Sequence, residues 1–467
     1  MPRINTPDST IAAVSTAPGR AGIAVIRITG KESLDVASKV FFPRSGKALS
    51  DYPSSKAVFG DIYHNGEIVD NGICLVFRAP ASYTGEDTVE ISCHGNDLVA
   101  SMILSSLIAE GARQAEPGEF TKRAFINGKL SLSQAEAVSE LIDAETTAAI
   151  KLSNAHVSGK LSDEIDLLAN SLTEILASVY AFIDYPDEDL TDMSRDEMRE
   201  HLLDIRDRLF ALQKSYDSGR AVSSGIKTVI AGLPNSGKSS LLNMLTGTER
   251  AIVTDIPGTT RDIITEKITL GNISLVLSDT AGIRETDDVV EKIGVERAYS
   301  GIAECELVLA VVDGSCDICD DEKKLLSYLS ESGKKVILVI NKTDLGAVNS
   351  EKKNYIDTVC KNFFSVVEIS AKNNVGKDLI ENKISELYPA GDDLLRSGLV
   401  ITGARIYASV KGAYESVCDA IKTLEGYTPD LAGMDLERAL SALNDADGRT
   451  ISEDIVNNIF SKFCVGK

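Results

Sequence analysis

The sequence predicts a multidomain protein of mixed α/β and all-α architecture. It would have an N-terminal α+β domain, a discontinuous helical domain built from two stretches of chain, and a doubly wound α/β domain inserted between them. Three observations carry this. The chain has 467 residues, more than one hydrophobic core usually organises. Apolar residues recur at three and four on both sides of residues 222–385. Inside that span short apolar runs alternate with helical ones, the pattern of a mostly parallel sheet.

Residues 1–120 mix β-rich runs, Ile23 to Ile28, Ile73 to Phe77 and Thr88 to Ser92, with an apolar helical run from Leu98 to Ala109. Residues 121–221 form the first helical part: Ile165, Leu168, Leu172, Ile175, Leu176, Val179 and Ile183 share a face, as do Leu202, Ile205, Leu209 and Leu212. The helices end at about residue 216, and the acidic stretch Tyr185 to Leu190 interrupts them, because Pro186 stops a helix and consecutive carboxylates repel within one. In residues 222–385 the strand runs are Thr228 to Ala231, Ser274 to Leu277, Leu307 to Val312, Lys335 to Ile340 and Val366 to Ile369. The helical period returns in residues 386–467, with Ile406, Val410, Ala413, Val417, Ile421 and Leu424 on one face, then Leu436, Leu440 and Leu443. Pairing the two helical stretches into one domain accounts for both.

A formal charge of -22 argues against a broad basic surface, so contact with nucleic acid is expected to be local or assisted by a partner. The longest apolar runs are of strand length, and the first residues lack an apolar leader with a cleavage site; no membrane span and a cytoplasmic location are the expectations. Eight cysteines show no framework spacing and read as reduced thiols; Cys316 and Cys319 form a C-x-x-C without a second ligand pair.

Chemistry is concentrated at strand ends. Gly232-Leu-Pro-Asn-Ser-Gly-Lys-Ser239 lies between a strand and the helical run Ser240 to Leu245, the setting of a phosphate loop. Its glycines let backbone N–H groups wrap phosphates, Lys238 supplies charge to the β- and γ-phosphates, and Ser239 offers a hydroxyl to Mg²⁺. Asn341-Lys-Thr-Asp344 selects the base: Asp344 can accept from the N1–H and exocyclic amine of guanine, a donor pair that adenine lacks. Ser370-Ala-Lys372 would close over the base, with the Ala371 N–H directed at O6. Asp279-Thr280-Ala281-Gly282 places Asp279 behind Mg²⁺ and the Gly282 N–H near the γ-phosphate. Together these motifs specify GTP. Directly after Gly282 stands Ile283, where Ras-like proteins carry a water-orienting Gln, so hydrolysis needs help from elsewhere.

Asn235 and the segment Val253-Thr-Asp-Ile-Pro-Gly-Thr-Thr-Arg-Asp262 resemble the potassium-activated GTPases that dimerise through their G domains. Glu119 to Leu130, Gln134-Ala-Glu-Ala137, Asp184 to Glu188 and Phe463-Cys-Val-Gly-Lys467 narrow the likeness to the MnmE (TrmE) family of bacterial tRNA uridine-modification GTPases, essentially from end to end. The tail reads C-V-G-K in place of the commoner C-I-G-K.

The resemblance implies a Ras-like G domain whose first switch, Thr254, Asp255, Ile256, Pro257, Gly258, Thr259 and Thr260, joins Asn235, Ser236, Gly237, Lys238, Ser239 and Ser240 around GTP, with Asn341, Lys342, Asp344, Ser370, Ala371 and Lys372 at the base. It places K⁺ between Asn235 and oxygens of Thr254, Ile256 and Thr259, and Mg²⁺ on Ser239 and Thr260. Glu291 would orient water alongside the catalytic contributions of Asn235 and Lys238; alternatively Asp287, Asp288 and Glu291 are a solvated acidic loop. The first domain is similar to the folate-binding fold of aminomethyl transferases. There Arg27, Glu90, Lys129 and Lys467 would hold a 5-formyl- or methylene-tetrahydrofolate, and Cys464 is a candidate catalytic thiol. Arg27 and Glu90 could equally be a cross-strand ion pair. The implied activity adds an aminomethyl-type group, such as carboxymethylaminomethyl, at C5 of the tRNA wobble uridine. It would be carried out by a homodimer with the FAD- and NADH-using partner MnmG, with tRNA bound mainly through that complex. A ribosome-assembly GTPase, or a folate-dependent methyl-group transferase with an accessory GTPase, are the competing classes.

Overall fold

A computed structural model of the chain describes residues 9–184, 193–247, 266–277, 301–389, 391–426 and 429–466. They fall into two compact units, one from residues up to 139, 156–206 and from 409 onward, the other from residues 140–155 and 207–408.

In the first unit, among the described residues, seven strands form one sheet: β1 (Ile11–Val14), β2 (Ile23–Thr29), β3 (Phe41–Pro43), β4 (Lys56–His64), β5 (Glu67–Phe77), β6 (Thr88–His94) and β7 (Arg113–Gln114), in the order β3-β4-β5-β6-β2-β1-β7. Every pairing is antiparallel except β1 with β7. Alternation decides which face is buried. Ile26 and Ile28 of β2, Val89 and Ile91 of β6 and Val76 of β5 join Ile103 and Leu107 of the helix Asp97–Ala109 in one core. Asn96 caps that helix, accepting from the N–H of Leu98 at 2.9 Å. The positions between these buried residues, Arg27 and Glu90 among them, are thereby turned to the opposite side of the sheet.

The helical part of the same unit packs Lys160–Asp184 on Pro429–Asp447, and Glu453–Phe460 on Glu119–Ile126. The stripe expected from the sequence is buried: Ile165, Leu168, Leu172, Ile175 and Val179 on one helix, Leu436 and Leu443 on the other. One boundary moved. The helix expected to end at about residue 216 runs from Arg195 to Ser223, because Ala221 and Val222 are also buried, and Gly225 at φ +78° turns the chain only after them.

The second unit holds β8 (Ile226–Ala231), β9 (Glu266–Leu270), β10 (Ile273–Leu277), β11 (Leu307–Asp313), β12 (Lys335–Asn341) and β13 (Ser365–Glu368). Among the described residues they form a six-stranded sheet, β13-β12-β11-β8-β10-β9, parallel apart from the β9–β10 hairpin. The sequence reading did not foresee β9; it turns into β10 through Gly271 at φ +59°. Strands buried on both faces explain the unbroken apolar runs: Leu309 and Ile337 belong to one core with Leu241 and Ile380, while Val308 and Leu338 belong to another with Leu326 and Ile356. This sheet sets the carboxyl ends of β8, β11 and β12 side by side, the edge at which such sheets bind ligands. Among the described residues no helix is long and apolar enough to cross a membrane.

Candidate functional site

β8 delivers the chain into Gly232, and the helix Lys238–Thr246 begins six residues later from Gly237 at φ +98°. Gly232 is required by contact, and Gly237 by contact as well as by conformation. A Cβ on Gly232 would stand 2.4 Å from the Val311 carbonyl oxygen, and one on Gly237 2.1 Å from Asn341 Nδ2. Asn235 takes φ +62°, a left-handed conformation that Asn tolerates better than most side chains. The Lys238 ammonium donates to the carbonyls of Gly232 at 3.0 Å and Leu233 at 2.9 Å, and burial pushes its pKa below the usual lysine value. An anion beside it would oppose that shift, which suits a phosphate ligand. The Ser239 hydroxyl stands in the first turn of the same helix, among the amides that favour anions.

Asn341, 2 % exposed at the end of β12, ties three loops together. Its Nδ2 donates to the Ser236 carbonyl at 3.1 Å, and its Oδ1 accepts from the Ala371 N–H at 3.0 Å. The N–H that sequence reasoning aims at guanine O6 is thus engaged within the protein here. Lys342 follows at φ +67°, its ammonium 2.6 Å from Asp313 Oδ2. Asp344 is exposed; Ser370 Oγ donates to it at 2.6 Å, and this bond foremost holds its carboxyl below the ordinary aspartate value. An ionised carboxylate with its remaining lone pairs in solvent can take the two donors of guanine. Sequence reasoning missed Asp313. Its signal was weak: a single acidic residue closing the apolar run of β11.

In the first unit Arg27 and Glu90 are register partners on β2 and β6, with Nε 2.8 Å from Oε1. The cross-strand alternative is therefore real, and the two groups satisfy one another. Around them stand Tyr83 and Phe120, rings 5.4 and 5.6 Å from the guanidinium carbon, two residues the sequence did not single out. The Tyr83 hydroxyl bonds Thr121 Oγ1 at 2.9 Å. Lys129 donates to the Pro80 carbonyl at 3.1 Å. The chain's end arrives beside this sheet: Val465 bridges to Pro117, and the Gly466 carbonyl accepts from Ser15 Oγ at 3.0 Å, one residue beyond β1. Gly466 sits at φ +96°, where a Cβ would meet the Val14 carbonyl at 2.3 Å. Cys464 is exposed, with its own carbonyl accepting from the Gly118 N–H at 3.3 Å. The tail thus reaches the strand whose partner carries Arg27.

Several expected site residues lie outside the described residues: Thr254 to Thr260, Asp279 to Gly282, Ile283, Asp287, Asp288, Glu291 and Lys467. Among the described residues no cluster of three or more His, Cys, Asp or Glu is placed to hold a metal.

Comparison with known proteins adds the following. A family model described as the MnmE helical domain matches residues 132–464, and one described as the N-terminus of the GTP-binding protein TrmE matches residues 10–129. The chain is 40% identical over 463 residues to the tRNA modification GTPase MnmE of Clostridioides difficile, covering 98% of this chain and 99% of that one. To the protein of the same name from Carboxydothermus hydrogenoformans it is 42% identical over 465 residues, 98% of this chain and 100% of that one.

Proposed function

The chain belongs to the MnmE family of tRNA modification GTPases and is a GTP hydrolase acting in tRNA modification; on that premise we propose that K⁺ drives its hydrolysis and that a tetrahydrofolate serves its modification chemistry. The single observation that carries the nucleotide half is Asn341, which joins the phosphate loop to the loop of Ala371 while Asp344, bonded by Ser370, stays exposed to take guanine. In this reading Ser239 and Thr260 hold Mg²⁺. Asn235, with Thr254, Ile256 and Thr259, holds K⁺, which supplies the positive charge that an arginine finger gives elsewhere. Lys238 leaves its carbonyl partners for the β- and γ-phosphates, and Glu291 orients the attacking water, the role that Ile283 cannot fill.

For the folate, the chemistry of the donor set fits: a carboxylate for the pterin edge, cations for a glutamate tail, and aromatic rings beside them. Arg27, Glu90, Lys129 and Lys467 would bind it, which requires Arg27 and Glu90 to exchange their mutual bond for bonds to the ligand. A bound tetrahydrofolate supplies a one-carbon unit. Cys464, exposed on the docked tail, is the protein's own candidate nucleophile in that chemistry. The packing of Lys160–Asp184 on Pro429–Asp447 supports one helical domain made of two stretches, with the α/β domain inserted between. We place the protein in the cytoplasm as a homodimer that modifies the wobble uridine with a flavoprotein partner, MnmG, which would supply the basic surface that a chain of charge -22 lacks.

The test is the modified-nucleoside profile of unmodified tRNA incubated with this protein, the flavoprotein, GTP and a labelled one-carbon folate. Label is expected at C5 of the wobble uridine. Label absent while GTP is consumed would exclude the folate role.

A further inference from the structure

The buried pair Lys352–Glu322 lies within the α/β unit, against the segment that follows β11. Lys352, in the helix Ser350–Val359, is 0 % exposed, and its ammonium reaches Glu322 Oε2 at 3.0 Å and the Asp313 carbonyl at 2.5 Å. A buried ion pair is weak evidence for stability, since apolar residues of similar volume often replace one at no cost. What this pair does is fix a loop. Lys352 holds both ends of the segment from Asp313 to Glu322, and Asn349, the cap of the same helix, adds a third tie to Asp317.

That segment is fastened in turn to the base-recognition loop. Asp313 pairs in register with Asn341, and the Gly314 N–H donates to the Asn341 carbonyl at 2.8 Å. Asp313 Oδ1 takes the Ser315 N–H at 2.9 Å and hydroxyl at 2.6 Å, which leaves Oδ2 directed at Lys342 at 2.6 Å. Lys342 adopts a left-handed conformation at φ +67°, costly for a side chain other than Gly or Asn and stable only when its surroundings enforce it. Two residues later comes Asp344.

We propose that Lys352 is a positioning residue for guanine recognition, acting on the Asn341–Asp344 loop through Asp313 and Lys342. This rests on the reading of Asp344 as the guanine acceptor. A displaced loop loses the two-donor bond to guanine but loses less with hypoxanthine, which offers N1–H alone; the GDP-to-IDP preference is therefore the quantity that loop position controls and bulk stability does not.

The experiment is calorimetric titration of the full chain with GDP and IDP for wild type, Asp313→Asn, and Lys352→Met combined with Glu322→Met, which removes both buried charges together so that neither is left unpaired. The double variant is expected to melt as the wild type does, bind GDP roughly tenfold more weakly and lose most of its preference over IDP. Combining it with Asp313→Asn is expected to add little, because the residues act in series. Unchanged GDP affinity and preference in the double variant would overturn the proposal, as would losses that multiply in the combination. Asp344→Ala is titrated alongside. If it binds GDP as tightly as the wild type, the guanine-acceptor reading itself falls and takes the proposal with it; if it weakens GDP binding while the double variant does not, only the proposal falls.

Discussion

The two candidate sites are built on opposite principles. Around the phosphate loop, side chains fix backbone and leave chemistry facing outward: Asn341 spends its amide on Ser236 and Ala371, Asp313 spends its carboxylate on Lys342, and Asp344 remains exposed. On the N-terminal sheet, Arg27 and Glu90 spend their charges on each other, and the Tyr83 and Phe120 rings together with the tail docked by Gly466 and Val465 mark the place as more than a cross-strand pair. Apart from Lys238, which must leave two carbonyls, the nucleotide site has its loops fixed in advance, whereas the N-terminal pair must first break its own bond. The nucleotide site should therefore show large losses on single substitutions, and the folate site smaller ones.

The largest expected effect is in the phosphate loop. Lys238→Ala should lower GTP turnover by about 10²- to 10³-fold, the scale of removing one electrostatic contact to a developing charge, with folate binding unchanged. A steady-state assay and a folate titration on the same preparation check both halves. Asp344→Asn comes next: removing a charged acceptor should weaken GDP by roughly 10- to 100-fold and shift preference toward xanthosine nucleotides, whose second carbonyl accepts from the new amide. Competition binding reads this out.

Gly466→Ala tests the other region. Strain at φ +96° and the contact with Val14 should loosen the tail, weakening folate about tenfold while GTP turnover stays at the wild-type level. A loss of GTP turnover there would break the separation of the two sites. Acid should act on the N-terminal unit through Glu119. Burial alone would raise its pKa, but Arg113, the Glu116 N–H and Arg123 outweigh this and hold it below the ordinary value. A lowered carboxyl pKa contributes stability above the unfolded value of about 4.3 that is lost as pH falls through the folded one. Melting at stepped pH should show this loss in the wild type, and a shallower one in Glu119→Gln. Smallest of all, Arg27→Ala should cost about 1 kcal/mol or less of stability, since the pair is only partly buried. A larger loss would mean that the pair is structural first.

The asymmetry also explains what the sequence made legible. Strand and helix runs were readable because burial on one face or two leaves a period, as in Ile26 and Ile28 or in Leu307 to Val312. The phosphate and base loops were readable because glycines and polar residues at fixed spacing have few other reasons to stand at strand ends. Three features were not readable. β9 lies between a turn glycine and a segment without a long apolar run. Asp313 and Lys352 depend on contacts between elements 39 residues apart in number. The docking of Val465 beside Pro117 is likewise a tertiary fact that no local pattern announces.

GTP hydrolysis measured in K⁺ and in Na⁺, for the wild type and Asn235→Ala, tests the central claim most directly. Turnover should be at least tenfold faster in K⁺ for the wild type, well within the ~10³-fold or more that a charge beside the phosphates contributes, with no such difference in the variant. Equal wild-type turnover in the two salts would contradict it.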